Sequence, residues 1–337
     1  MILAKNIILT LSGLGILIFV YALLYFYRSL KPPRFITPIQ PSNYGLKWEN
    51  IALKTSDGLT LKGWFIPPPF VLPNAGPPSA DWPAGPTKGG GIIPQPHSNA
   101  AIIVCHGYPF DKGNVLPIAK FLHSEYNLLL FDFRAMGESE GRMTTLGYHE
   151  TKDVQAALDF LERKGIQKIG ILGFSLGASV ALLSVSDERI KAVVADCPFA
   201  SLDILLDEMF QNLFFLKQPF KAILKKLARS VLKINFSQIS PLKSVSNTST
   251  PILLIHGDED SQIPHSHSLL LKKANPKIQF WQVPEADHIQ TYELYPEEYE
   301  KRVIKFLKEA FEITQKGTII IKGDIVKFPS EKWSADD

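Results

Sequence analysis

Cysteine is almost missing from this chain. Two thiols in 337 residues, Cys105 and Cys197, cannot build a disulfide framework. An excess of charge is missing too: 36 Lys and Arg against 33 Asp and Glu leave a formal net charge of +3, which argues against nucleic acid as a partner. Metal-ligand spacing is also lacking, because His265-Ser266-His267 has no third ligand of suitable type and reads as two surface histidines. His97, His123 and His149 fall in loop or helix-surface contexts without a chemical neighbour. No metal or organic cofactor is implied. Acid is absent from a whole region, Met209 to Gly257.

Among the features present, the N-terminus stands apart. Ile7 to Tyr27 is apolar or aromatic except for Thr10, Ser12 and two glycines, with Lys5 before it and Arg28, Lys31 and Arg34 after it. A bilayer takes about 20 such residues at about 1.5 Å each. No small-residue cleavage site follows Tyr27, so residues 1–30 are expected to be an uncleaved transmembrane anchor, with Tyr21, Tyr25, Phe26 and Tyr27 near the interface. Positive charge is greater on the C-terminal side, which favours a cytoplasmic domain, although Lys5 and the amino terminus offset part of that bias. A linker over 31–45 then leads to one domain over 46–316, and 317–337 forms a tail with room for a short hairpin.

Within the domain, Trp48 to Thr55 and Leu59 to Ile66 flank Ser56-Asp57-Gly58, the signal of an antiparallel hairpin. Residues 67–99 are crowded with proline and glycine and carry no apolar period, so they read as an inserted loop. From Ala100 onward strands and helices alternate: Ala101 to Cys105, Leu128 to Phe131, helix Glu150 to Arg163, Ile169 to Leu172, a helix after Ser175, then Ala192 to Ala195. That alternation demands an α/β fold with a mostly parallel sheet covered on both faces. It stops over 197–250. There Leu216, Phe220, Ile223, Leu224, Leu227 and Val231 recur at helical spacing among seven basic residues, Lys217, Lys221, Lys225, Lys226, Arg229, Lys233 and Lys243. The segment is expected to be a basic amphipathic cap after strand 6, whose lysines either sit in solvent over a pocket or touch anionic lipid.

Gly173-Phe174-Ser175-Leu176-Gly177 joins an apolar run to a small-residue helical stretch. A serine at a tight strand-to-helix turn is presented above the sheet edge, where its hydroxyl can attack a carbonyl; the bland alternative is a glycine-rich junction with a solvated serine. Such a hydroxyl needs a base, an orienting carboxylate and donors for the oxyanion. Downstream, the run Pro251 to Ile255 ends in a loop where Asp258, Glu259 and Asp260 compete for the acid. His288 follows the next strand, Ile278 to Val283. The oxyanion donors are read as the backbone N–H groups of Leu176, after the serine, and Tyr108, in the loop after Ala101 to Cys105. His106 reads as a hydrogen-bonded scaffold residue, because it precedes the serine in a chain order that fits no familiar triad.

Five blocks in order, His106-Gly107, Asp132 to Gly141, Gly173 to Gly177, His256-Gly257 with Asp260 and Ile263-Pro264, and Asp287-His288, resemble the α/β-hydrolase superfamily. The likeness is greatest to membrane-anchored hydrolase-domain proteins related to serine aminopeptidases, monoacylglycerol lipases and acyl-protein thioesterases. It covers roughly Trp48 to Phe311 and implies Ser175 as nucleophile, Asp260 as acid and His288 as base. Ala135 stands where the family has glycine, and Ile263 where it has valine. The expected activity is hydrolysis of esters or thioesters of an apolar acyl group, without a cofactor. A serine peptidase is the enzymatic alternative, and a non-catalytic membrane scaffold on the same fold the alternative of another class.

Overall fold

A computed structural model describes residues 2–69, 99–316, 320–321 and 324–325. Most of the loop expected over 67–99 lies outside the described residues. The chain opens with α1 (Ile2–Ser29), then β1 (Glu49–Lys54) and β2 (Thr60–Ile66). There follow β3 (Ala100–Cys105), α2 (Lys112–Ala119), β4 (Asn127–Phe131), α3 (Glu150–Arg163), β5 (Lys168–Phe174), α4 (Leu176–Leu183) and β6 (Ile190–Asp196). The cap carries α5 (Leu202–Met209), α6 (Lys217–Leu227) and α7 (Pro241–Val245). The domain closes with β7 (Ile252–Gly257), α8 (Ser266–Ala274), β8 (Gln279–Val283), α9 (Thr291–Leu294) and α10 (Pro296–Lys316), and a two-stranded ribbon pairs β9 (Ile320–Ile321) with β10 (Asp324–Ile325).

Eight strands form one sheet in the order β1-β2-β4-β3-β5-β6-β7-β8. The pairs β1/β2 and β2/β4 are antiparallel and the others parallel. This is the α/β architecture that the alternation of strands and helices demanded. The continuous apolar runs of β3, β4 and β7 are buried at every position, as strands covered on both faces must be. Edge strand β1 alternates buried and exposed residues instead. One apolar cluster lies between the sheet and α3, α4 and the cap. The second joins the other face to Val115, Leu116 and Ala119 of α2 and to Tyr299, Val303, Phe306, Leu307 and Ala310 of α10, spaced at three and four residues. The topology therefore leaves the carboxyl ends of β3, β5, β6 and β7 as one rim, beneath the cap.

The cap's basic run is partly paired. Lys221 is buried and bonds Asp207 at 2.6 Å, Lys225 bonds Asp203 at 2.7 Å, and Lys217 lies 3.7 Å from Asp207. These acids precede the acid-free stretch, and packing α5 on α6 brings them to it. Those three lysines are thus not the freely solvated face that the sequence suggests.

The end of α1 is packed as well: Ala22, Phe26 and Leu30 are buried, while Ile16, Leu17, Tyr21 and Leu24 are exposed. Among the described residues no helix is long and apolar enough to cross a membrane. The stretch 31–45 is tied to the domain, with the Arg34 guanidinium donating to the carbonyls of Gly137, Ser139 and Gly141 and Thr37 bonding the Asp111 carboxylate. Ala135, in the loop after β4, has φ 64°. A Cβ in that left-handed region costs roughly 1 kcal/mol, which explains why glycine suits the position.

Candidate active site

Ser175 stands between β5 and α4 with φ 53° and ψ −114°. A non-glycine residue held there stores roughly 1–3 kcal/mol of strain and must be fixed by its surroundings. Its N–H donates to the Asp196 carbonyl at 2.8 Å, and its carbonyl accepts the Ser179 N–H at 3.0 Å. The flanking glycines follow from close backbone approach. A Cβ on Gly173 would run into the Gly177 carbonyl, and one on Gly177 into the carbonyls of Cys105 and His106.

Three side chains from three loops meet at this turn. The Ser175 hydroxyl donates to His288 Nε2 at 2.9 Å, and His288 Nδ1–H donates to Asp260 Oδ2 at 2.7 Å. The Asp260 side chain is fully buried and that of His288 is 7% exposed, so little water competes for either bond. Burial alone would raise the Asp260 carboxyl, but hydrogen bonds from His256 and His288, the nearby imidazole and the Ile263 amide hold it well below the usual carboxylate range. It is an anion aimed at the ring.

Further residues fix this chain. His256, buried at the end of β7, donates from Nε2 to the Ile263 carbonyl at 2.8 Å and accepts from the Ser268 hydroxyl at Nδ1 at 2.7 Å. The same Nε2 lies 3.1 Å from Asp260 Oδ2. Asp260 Oδ1 accepts the Gln262 and Ile263 amides at 2.9 and 2.8 Å. Asp287 Oδ1 accepts the Ser261 amide at 2.8 Å and the His288 amide at 2.7 Å, joining the acid's loop to the histidine's. Neither His256 nor Asp287 received a role from the sequence, although both lie inside matched blocks.

Cys197, His256 and Asp260 offer ligand atoms within 4.8 Å of one another. Each is already engaged: burial pushes the Cys197 thiol well up, and it donates to Asp196 Oδ1 at 3.3 Å. The trio therefore suits a hydrogen-bonded support beneath the histidine better than a cation.

The expected oxyanion donors flank Ser175. A Cβ built on Gly107 would lie 3.3 Å from the Ser175 Cβ, and Tyr108 follows it. Among the described residues no acceptor takes the Tyr108 amide. Leu176 opens α4, where helix geometry leaves the first amides without an intrahelical acceptor.

The other candidates lie apart. Asp258 accepts the Glu285 amide at 2.8 Å, and Glu259 is exposed. His106 is buried, donating from Nδ1 to the Gly107 carbonyl at 2.8 Å and accepting the Phe133 amide at Nε2 at 2.9 Å, as a scaffold residue should. His267 corrects its surface reading. It is fully buried, accepts the Ala200 amide at Nδ1 and donates to Glu208 at 2.7 Å, because packing α8 beneath α5 encloses it. His123 also has a neighbour, the Pro67 carbonyl at 2.7 Å.

Comparison with known proteins agrees with this architecture. A family model described as alpha/beta hydrolase fold matches residues 100–222. YqkD of Bacillus subtilis is 30% identical over 240 residues, covering 68% of this chain and 77% of that protein. The alpha/beta hydrolase domain-containing protein WAV2 of Arabidopsis thaliana is 28% identical over 81% of this chain and 82% of its own. Among solved structures, the Pyrococcus furiosus esterase Pf2001 superposes with a TM-score of 0.63 at 26% identity, covering 83% of this chain and 99% of the esterase.

Proposed function

The chain belongs to the α/β-hydrolase family, and from that premise we propose that it is a serine hydrolase cleaving carboxylic ester or thioester bonds of apolar acyl substrates. The observation that carries the reading is the unbroken hydrogen-bonded chain from Ser175 through His288 to the buried, ionised Asp260. In this reading the Ser175 Oγ attacks the acyl carbonyl carbon as its proton passes to His288 Nε2. The imidazolium that forms faces a carboxylate at Nδ1, which stabilises it and fixes the tautomer. The N–H groups of Tyr108 and Leu176 receive the oxyanion. Collapse of the tetrahedral species expels the alcohol or thiol, protonated from His288, and leaves an acyl-serine. Water attacks that ester, giving its proton to His288, and release of the acid returns the proton to Ser175.

The apolar preference rests on the Phe-rich cap and the apolar N-terminus, and the ester chemistry is supported by likeness to a solved esterase. Within the same proposal, the apolar stretch Ile7 to Tyr27 holds the enzyme at a membrane. Lys217, Lys221 and Lys225 are paired with α5, which leaves them less free to meet lipid and supports the N-terminal helix over the cap as the attachment.

A fluorophosphonate probe tests the reaction class. Wild type is expected to be labelled and Ser175→Ala not, with melting unchanged, since the substitution deletes one hydroxyl and no core volume. Labelling that persists in the variant rejects Ser175 as nucleophile, and a folded wild type that never labels points to a non-catalytic scaffold. Turnover of aminopeptidase substrates with no ester hydrolysis would favour the peptidase instead.

A further inference from the structure

The chain that leaves α1 crosses the loops after β3 and β4 as a strap, 34–39. Thr37 binds the Asp111 carboxylate twice, its N–H donating to Oδ2 at 2.7 Å and its hydroxyl to Oδ1 at 2.6 Å. Oδ1 also accepts the Asn114 amide at 3.1 Å, so this buried carboxylate caps α2 with one oxygen and holds the strap with both. Phe35 meets Phe110 with ring centroids 6.4 Å apart. The fit is close: a Cβ on Gly113, in the first turn of α2, would lie 2.8 Å from the Ile39 carbonyl oxygen and 3.1 Å from the Thr37 Cβ. Beside it the Arg34 guanidinium donates to the Gly137 and Gly141 carbonyls at 3.1 and 2.9 Å.

The loop so held carries the expected oxyanion donor. Residues 107–110 form one turn, closed by the Phe110 N–H donating to the Gly107 carbonyl at 3.0 Å. Its first residue abuts the nucleophile, since a Cβ on Gly107 would lie 3.3 Å from the Ser175 Cβ. Its last residue meets Phe35, and Asp111 follows directly. The ends of such a turn stay within about 7 Å of each other, so a shift at Asp111 is felt at the Tyr108 amide. His106 secures the first end, binding the Gly107 carbonyl and the Phe133 amide, and the strap secures the last. A second tie joins the two loops: Asp132, buried just after β4, accepts the Lys112 amide at 2.8 Å and the Glu138 amide at 2.9 Å.

Resting on the serine-hydrolase reading, we propose that Thr37 and Asp111 are positioning residues for the oxyanion site: the strap fixes the turn that aims the Tyr108 N–H at the reacting carbonyl oxygen. The connection from α1 is then part of the catalytic scaffold as well as a linker. An oxyanion donor stabilises the tetrahedral species far more than the bound ester, because charge develops on that oxygen only as the new bond forms. Removing such a donor lowers kcat by about 10²–10³, and displacing it forfeits a part of that. Loosening the strap should therefore lower kcat and leave KM.

The test uses the full-length chain in detergent micelles, with a short p-nitrophenyl ester and a short-chain trifluoromethyl ketone, which adds to the serine and places a negative oxygen where the oxyanion forms. Thr37→Val removes one of the two bonds to Asp111. Asp111→Asn keeps a cap on α2 but turns one acceptor into a donor facing Thr37. Each is expected to lower kcat about tenfold and to weaken ketone binding by a similar factor, with KM close to wild type. Thr37→Ser, which restores the hydroxyl, is expected to recover both. Thermal melting reports folding, and Thr37→Val, which keeps the backbone bond, carries the test should Asp111→Asn unfold. Wild-type kcat or wild-type ketone affinity in folded Thr37→Val, or a loss confined to KM, overturns the proposal. A wild type that neither takes a fluorophosphonate label nor hydrolyses any ester overturns the hydrolase reading beneath it.

Discussion

His256 Nε2 lies 3.1 Å from Asp260 Oδ2, the same oxygen that accepts the His288 proton at 2.7 Å. The carboxylate is held from behind by a buried imidazole while it holds another in front. Its rotation is further limited by the Gln262 and Ile263 amides on Oδ1. A misaligned carboxylate would leave His288 free to turn away from Ser175.

In the proposed mechanism His256 is a positioning residue. His256→Phe keeps a planar ring in its place and removes its donor, and is expected to lower kcat on a short ester by about a hundredfold, with KM close to wild type. His256→Gln should recover part of the loss, because its amide can donate toward Asp260. Steady-state kinetics decide it: a wild-type kcat in the Phe variant would show that the backbone amides alone orient the acid.

Among the three acids of that loop, Asp260→Asn is expected to reduce kcat by about 10⁴-fold, because an amide in that place favours the wrong imidazole tautomer. Asp258→Asn should stay near wild type, since Asp258 only receives the Glu285 amide at the surface. The opposite ranking would move the acid two positions upstream.

The buried His106 gives a pH dependence of definite sign. Burial lowers its pKa from 6.5, against the opposing pull of Asp132 and the Gly107 carbonyl, and its Nε2 already accepts the Phe133 amide. The folded state thus resists a proton that the unfolded chain takes up. Its contribution to stability is complete above pH about 6.5 and declines as pH falls, by at most about 1.4 kcal/mol per pH unit. Denaturant melts between pH 7.5 and 5.5 should show the slope in wild type and a flatter one in His106→Gln. Equal slopes would place the acid sensitivity in another group.

Sequence alone determined what depends on near neighbours along the chain. The strands were legible because fully buried strands need continuous apolar runs, and α3 because its period of buried residues matches one helix face. Ser175 was legible because only glycines tolerate the backbone contacts at Gly173 and Gly177. Tertiary structure decided everything that rests on distant segments meeting. It brought Ser175, Asp260 and His288 within hydrogen-bond reach across 113 and 28 residues of chain. It also buried His267 against Glu208, paired the cap lysines with Asp203 and Asp207, and laid Phe19 and Phe26 on Phe220 and Phe236. Composition marks a residue as apolar or charged. Which partner satisfies it is set by the free energy of the whole packed arrangement, because burying an unpaired charge or leaving an aromatic face in water costs more than any local preference can offset.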